Sequence, residues 1–182
     1  MIPQIIWNIW ISDKEEPEHK SWDKAGCVIE NITKDSFPNL PVFQKLVSEK
    51  RWMAANHYMR FYLLYTYGGI YLDSDVEVIK PFGELLNQEL MIGREDEFWV
   101  NCAVMGSVQG NKFIKQCLDE EFDYDTKEIV LDTSVRLVTK YKKMIPNLLA
   151  PDYFYPYHYT AKFTPECITE NTRTIHYWSK LW

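Results

Sequence analysis

The sixteen residues from Trp52 to Tyr67 hold neither glycine nor proline. They run straight into Gly68-Gly69, the apolar triplet Ile70 to Leu72 and the acidic triplet Asp73-Ser74-Asp75. No other stretch restricts the fold as much. Ala55, Tyr58, Met59, Tyr62, Leu63 and Thr66 fall near helical spacing, which predicts a long, largely buried helix. Gly68-Gly69 ends it, because glycine takes the left-handed cap conformation without strain. Ile70 to Asp73 then reads as a short strand. In an extended chain, residues two apart face the same way, so Asp73 and Asp75 are expected to converge at its end. Two carboxylates brought that close repel unless a cation sits between them. Mg²⁺ or Mn²⁺ suits such oxygen ligands, and a nucleotide diphosphate supplies the remaining oxygens. A solvated turn after a strand carries the same residues. The position just past a capped helix and an apolar strand favours a ligand site, since open α/β sheets bind ligands at strand carboxyl ends.

The rest of the chain alternates strands with helices. Strands are expected at Pro3 to Ile11, Cys27 to Ile32, Val76 to Ile79, Leu90 to Gly93, Asn101 to Gly106 and Thr174 to Trp178. Asp13 to Lys24 reads as a loop with a short helix, and helices are expected from Val42 to Ser48, Asn111 to Glu121 and Ser134 to Lys143. The pattern predicts an α/β sheet fold, with residues 1–182 as one domain. The last strand would place His176 and Trp178 on one face, close the sheet beside Asp73 and Asp75, and bring an imidazole to the metal.

Composition narrows the partners. The net charge of −6 argues against nucleic-acid binding, which needs a basic surface. Aromatic residues are 15% of the chain, enough either to fill a core or to line a cleft that stacks flat ligands. The cysteines 27, 102, 117 and 167 are widely spaced, with no C-x-x-C pair, so buried free thiols are expected rather than zinc ligands. The first ten residues lack a basic n-region, and no run of eighteen apolar residues exists. A cytoplasmic location follows as the expectation, with peripheral attachment to the inner membrane face as an option.

Ala55 to Pro81 resembles the DXD signature of glycosyltransferase family 32. That family includes yeast Golgi mannosyltransferases and bacterial capsule and lipopolysaccharide enzymes, and the catalytic domain of the clostridial glucosylating toxins is related to it. Three further places are similar in the same order: Ile2 to Trp10, Phe154 to Pro156, and Thr174 to Trp178. The resemblance implies a GT-A fold, an α/β nucleotide-binding sandwich around a mixed, mostly parallel central sheet, with a divalent metal (usually Mn²⁺) and transfer with retention. It implies that Asp75 is the main metal ligand, that Asp73 contacts the metal and the donor, and that His176 is a late ligand. It implies that Trp10 stacks on the base and that Arg60, Tyr71 and the residue at His57 contact the donor. It places Asn101 near the sugar. Asp96 and Asn101 are the nearest candidates for a supporting catalytic role, and Ser179 or Trp182 would cover the diphosphate. Departures stand at Trp7, where His is usual, at His57, where Asp is usual, at Ile11-Ser12-Asp13 in place of a glycine pair, and at Thr133-Ser134-Val135 in place of Thr-Gly-Pro.

The residues taken singly allow plainer roles: Trp10 in the core, Arg60 in a structural ion pair, and His57 and His158 as hydrogen-bonded surface groups. The leading expectation is a hexosyltransferase that uses a nucleotide sugar, UDP-linked by preference, and a glycan, lipid-linked or protein hydroxyl. A catalytically degenerate nucleotide-sugar-binding protein is the alternative, and a metal-dependent phosphohydrolase a third reading.

Overall fold

The computed structural model describes residues 1–18, 21–120 and 129–179. In chain order the strands are β1 (Ile5–Ile9), β2 (Val28–Ile32), β3 (Gly69–Leu72), β4 (Val76–Val78), β5 (Leu90–Arg94), β6 (Val100–Ser107) and β7 (Thr174–His176). The helices are α1 (Pro41–Ser48), α2 (Trp52–Thr66), α3 (Lys112–Leu118), α4 (Ile129–Asp132) and α5 (Val135–Lys140). The central sheet has the order β2-β1-β3-β6-β5. β2, β1 and β3 pair in parallel, while β6 runs antiparallel to both β3 and β5. Four of the five strands therefore point one way, and the fold is α/β with a mixed sheet.

Both faces of this sheet are covered. On one, Trp7, Tyr71 and Met105 pack with Phe43 of α1, with Met59, Leu63 and Leu64 of α2, and with Phe113 of α3. On the other, Ile6, Ile70, Leu72 and Val104 pack against Val76, Phe82, Phe154 and Tyr155. Alternation along β1 and β3 explains the division: Ile6 and Ile70 face one layer, Trp7 and Tyr71 the other. The β1–β3 seam is tight. A Cβ on Gly69, where φ is +104°, would lie 2.8 Å from Trp7 Nε1 and 2.9 Å from the Ile5 carbonyl. Trp7 Nε1 donates to the Gly68 carbonyl at 2.7 Å. The glycine pair thus ends α2 and also lets β3 lie against a tryptophan.

Several expectations need correction. Asp73-Ser74-Asp75 is not an extended segment: the Val76 N–H donates to the Asp73 carbonyl at 3.0 Å and closes a turn. β7 does not join the central sheet but pairs with β4 as a two-stranded ribbon. It stops at His176, because Trp178 has φ +56° and cannot continue a strand. The helix expected up to Lys143 ends at Lys140 and is followed by a 3-10 turn, Lys142–Met144. α3 is shorter than expected, with Asn111 capping its first amides, and the expected end at Glu121 lies outside the described residues. Tyr58, Tyr62 and Thr66 are only half-buried, since the buried stripe of α2 runs through Ala54, Ala55, Met59, Leu63 and Leu64. All four thiols are free, but only Cys102 and Cys117 are buried.

Candidate active site

The carboxyl ends of β1, β3 and β5 and the amino end of β6 open on one edge of the sheet. The register decides this: Trp7 lies opposite Tyr71, Leu72 opposite Val104, and Gly93 opposite Asn101. Trp10, Asp73, Glu95 and Asn101, each at or just beyond those strand ends, are thereby gathered. Asp73 is anchored by its own N–H, which donates to the Ala103 carbonyl at 2.8 Å.

Helix α2 supplies the charge beneath Asp73. Arg60 is buried, and its guanidinium donates to Asp73 Oδ1 at 3.2 Å, to the Tyr71 hydroxyl at 3.1 Å and to the Cys102 carbonyl at 3.2 Å. Tyr71 in turn donates to the same Asp73 Oδ1 at 2.6 Å. Burial works against the Arg60 charge, but Tyr71, Cys102 and Asp73 outweigh it and hold the guanidinium protonated above its ordinary range. Burial pushes the Cys102 thiol up to about 11. One turn earlier on α2, His57 is also buried rather than at the surface, with Nδ1 2.5 Å from Thr133 Oγ1. Burial, then the Arg60 charge, keeps this imidazole well below its usual pKa and so neutral.

Asp73, Asp75 and His176 offer ligand atoms that all lie within 4.8 Å of one another. Their hydrogen bonds decide which atoms remain open. Asp73 Oδ1 is taken by Arg60 and Tyr71, and Asp75 Oδ2 by the Ser179 N–H at 2.6 Å. Asp75 Oδ1 and Asp73 Oδ2 face His176 Nε2 at 3.2 and 4.0 Å. The Asp75 side chain is only 6% exposed, so this is no solvated turn. Two open carboxylate oxygens and one imidazole nitrogen in a shielded pocket suit a divalent cation. His176 is presented by the ribbon, where it lies opposite Val76. Its ring is flanked by Trp178 at 4.3 Å and Tyr155 at 5.9 Å between centroids. Tyr155 also braces β6, donating to the Asn101 carbonyl and accepting from the Val104 N–H. The Phe154-Tyr155-Pro156 segment therefore forms the wall behind the acids.

These groups floor a cleft of about 480 Å³. His57, Arg60, Asp73, Asp75, Asn101, His176 and Ser179 all line it. Trp10 and Tyr71 line a smaller pocket of about 100 Å³ together with Asn56 and Ser74, and His57 and Arg60 border both spaces. Trp10 is half-buried, with Nε1 donating to the Lys14 carbonyl, so it is not a core residue. Asp96 does not line the cleft. Its carboxylate accepts from the Phe98 and Trp99 amides at 2.7 and 2.8 Å. Its neighbour Glu95 lines the cleft instead, fixed by Asn101 Nδ2 at 2.6 Å, and burial raises its pKa. Nothing in the order of residues separates Glu95 from Asp96; the strand register alone does so. Ser134, from the Thr133-Ser134-Val135 departure, also lines the cleft, as do Trp99, Arg136 and Tyr159, which carry no signal in the sequence. Trp182 lies outside the described residues.

The mixed α/β sheet thus carries an acid–imidazole cluster at its carboxyl edge. The fold is similar to that of the PaToxG glycosyltransferase, with a TM-score of 0.59 over 80% of this chain and 70% of that one, at 17% identity. Residues 4–99 match the family described as the glycosyltransferase sugar-binding region containing a DXD motif, and the chain belongs to that family. Over 73 residues it is 41% identical to the uncharacterised protein At4g19900 of Arabidopsis thaliana, and that match takes in 38% of this chain and 11% of the relative's length. The DXD family generally depends on a divalent metal, and Asp73, Asp75 and His176 are groups that could hold one here. Among the described residues, no helix is long and apolar enough to cross a membrane.

Proposed function

We propose that the protein transfers a hexose from a UDP-sugar, with retention, to a hydroxyl of a glycan or lipid-linked acceptor, and that it uses Mn²⁺. The observation that carries this reading is the convergence of Asp73 Oδ2, Asp75 Oδ1 and His176 Nε2 at the floor of the cleft. An imidazole in the donor set favours Mn²⁺ over Mg²⁺, which prefers oxygen and retained water. When bound, such an ion neutralises charge on a departing diphosphate.

The side chains divide the remaining work. Arg60 and Tyr71 hold Asp73 in one orientation, so its second oxygen stays turned to the metal position. Trp10 lines the smaller pocket, and we assign its ring to stacking on the nucleotide base. The Ser179 N–H ties the chain after β7 onto Asp75, where it shields the diphosphate from water and favours transfer over hydrolysis. Glu95 is the cleft carboxylate left over once Asp73 and Asp75 are assigned to the metal. We assign it, with Asn101, to the sugar and acceptor side, in the role the sequence suggests for Asp96.

Asp75→Ala tests this directly. Mn²⁺-dependent UDP-sugar hydrolysis and transfer should be lost while the circular dichroism spectrum and melting temperature hold. Near-normal Mn²⁺-dependent rates in the variant would remove Asp75 from the metal site. The neutral, Thr133-bound His57 supports a second reading, a nucleotide-sugar-binding protein without turnover. Tight donor binding by the wild type with no hydrolysis or transfer across a donor screen would favour that one.

A further inference from the structure

Beside the cleft lies a second depression of about 530 Å³, whose lining includes Arg94, Phe98, Trp99, Lys142 and Lys143. Trp99 walls both spaces, so this groove continues the cleft outward. Two chain segments build it: the loop between β5 and β6, and the 3-10 turn Lys142–Met144. The Asp96 carboxylate holds the Phe98 and Trp99 amides, and Lys142 Nζ donates to the Phe98 carbonyl at 3.2 Å, so the aromatic loop is fastened to the basic turn. Phe98 is nevertheless 64% exposed and Trp99 39%. Arg94, Lys142 and Lys143 are exposed and enter no ion pair among the described residues, with Glu97 as the acidic residue on the rim. Three cations on one face run against a chain whose net charge is −6.

Large apolar side chains held out in water beside unpaired cations form a pattern with two requirements. A soluble acidic ligand would satisfy Arg94, Lys142 and Lys143 but leave Phe98 and Trp99 in water. An apolar protein surface would cover Phe98 and Trp99 but strip water from three charges at a cost. An anionic lipid interface meets both needs: the cations meet headgroup phosphates while the apolar side chains enter the boundary with the acyl chains, and tryptophan is favoured at that depth. We propose that this face docks on an anionic bilayer surface, so that the cleft opens at headgroup level beside Trp99 and the accepting hydroxyl is that of a lipid-linked molecule. The second clause rests on the transferase function; the docking does not.

Vesicle co-sedimentation of the full chain tests it, with pure phosphatidylcholine vesicles set against vesicles enriched in phosphatidylglycerol. Binding should be confined to the anionic vesicles and weaken with salt. Lys142→Glu combined with Lys143→Glu should lower that affinity roughly tenfold or more, and Phe98→Ser should weaken it further. Mn²⁺-dependent UDP-sugar hydrolysis measured without vesicles should stay at the wild-type level in both variants. Equal binding to both vesicle types, unchanged binding by the variants, or binding to soluble polyglutamate in preference to vesicles would overturn the docking face. Loss of hydrolysis together with binding would also overturn it, since the face would then belong to the reaction machinery. Anionic-vesicle binding that the variants lose, by a wild type that hydrolyses no UDP-sugar, would support the face and refute the transferase reading alone.

Discussion

Arg60 shows what a single side chain contributes here. A guanidinium inside a protein is costly unless its donors are matched, and breaking a buried pair typically costs about 3–5 kcal/mol. Asp73, Tyr71 and Cys102 match its two terminal nitrogens and leave only Nε without a partner, so the arginine is a structural ion pair and a positioning device for a cleft carboxylate at once. Of the two readings open at the level of sequence, the ion pair with Asp73 is the one present in the fold, and donor contact by Arg60 stays a proposal. His57 carries a pH signature. Its imidazole is held neutral in the fold, whereas in an unfolded chain histidine titrates near ~6.5. Below that pH the unfolded state takes up a proton that the folded state refuses. Stability should therefore fall with decreasing pH, by up to about 1.4 kcal/mol per pH unit between about pH 6.5 and about pH 5.5, and return as pH rises. Glu95 has the opposite sign, but its window lies lower, in the carboxylate range. Urea unfolding across this interval should show the loss in the wild type and a flatter profile in His57→Gln; equal slopes would mean that His57 is protonated in the fold.

Two elements deliver the site. α2 places His57 and Arg60 three residues apart on one face, beneath the cleft. The β4–β7 ribbon does for His176 what the central sheet does for Asp73. β4 begins immediately after the acidic turn, and pairing Val76 with His176 brings a residue one hundred positions away to the same point. His176→Ala should lower Mn²⁺ affinity at least tenfold and abolish most Mn²⁺-dependent turnover. The ribbon should persist, since Ile175 and Tyr177 keep their places: Tyr177 donates to Glu77 at 2.5 Å through a hydroxyl whose pKa burial and that carboxylate push up to about 12. Calorimetric Mn²⁺ titration with a melting curve checks both halves. Unchanged Mn²⁺ affinity would make His176 a buried strand histidine, and a collapsed melting temperature would make it a packing residue.

Across the whole molecule, the parallel β1–β3 pair and the antiparallel β6 bring four strand ends to one edge. The smaller pocket at Trp10 and the larger cleft at Asp73 and Asp75 then meet across Arg60. That continuity predicts linkage between nucleotide and metal. Mn²⁺ and UDP together, each at about a hundredfold over its dissociation constant, should stabilise the fold by more than the sum of their separate effects. A single ligand at that excess gives about 2.7 kcal/mol, which for a chain of this size raises the melting temperature by about 5–10 °C. Thermal shift with each ligand and with both decides it; a combined shift no larger than the sum of the two single shifts would separate the two pockets energetically.

The order of residues alone determined the acidic triplet after a glycine-ended helix, the alternation of strands with helices and, through the resemblance, the family. These are local patterns, in which helical spacing, the glycine cap and strand alternation act over a few residues. Only the tertiary structure decided that Asp73 and Asp75 converge through a turn, that β7 forms its own ribbon, and that Glu95 rather than Asp96 enters the cleft. Each depends on partners far along the chain. The β5–β6 register turns Glu95 toward Asn101, and Trp178 in the left-handed region ends the strand that carries His176. Such choices are made by hydrogen-bond registers and by the packing of two layers on one sheet, neither of which leaves a periodic mark in the sequence.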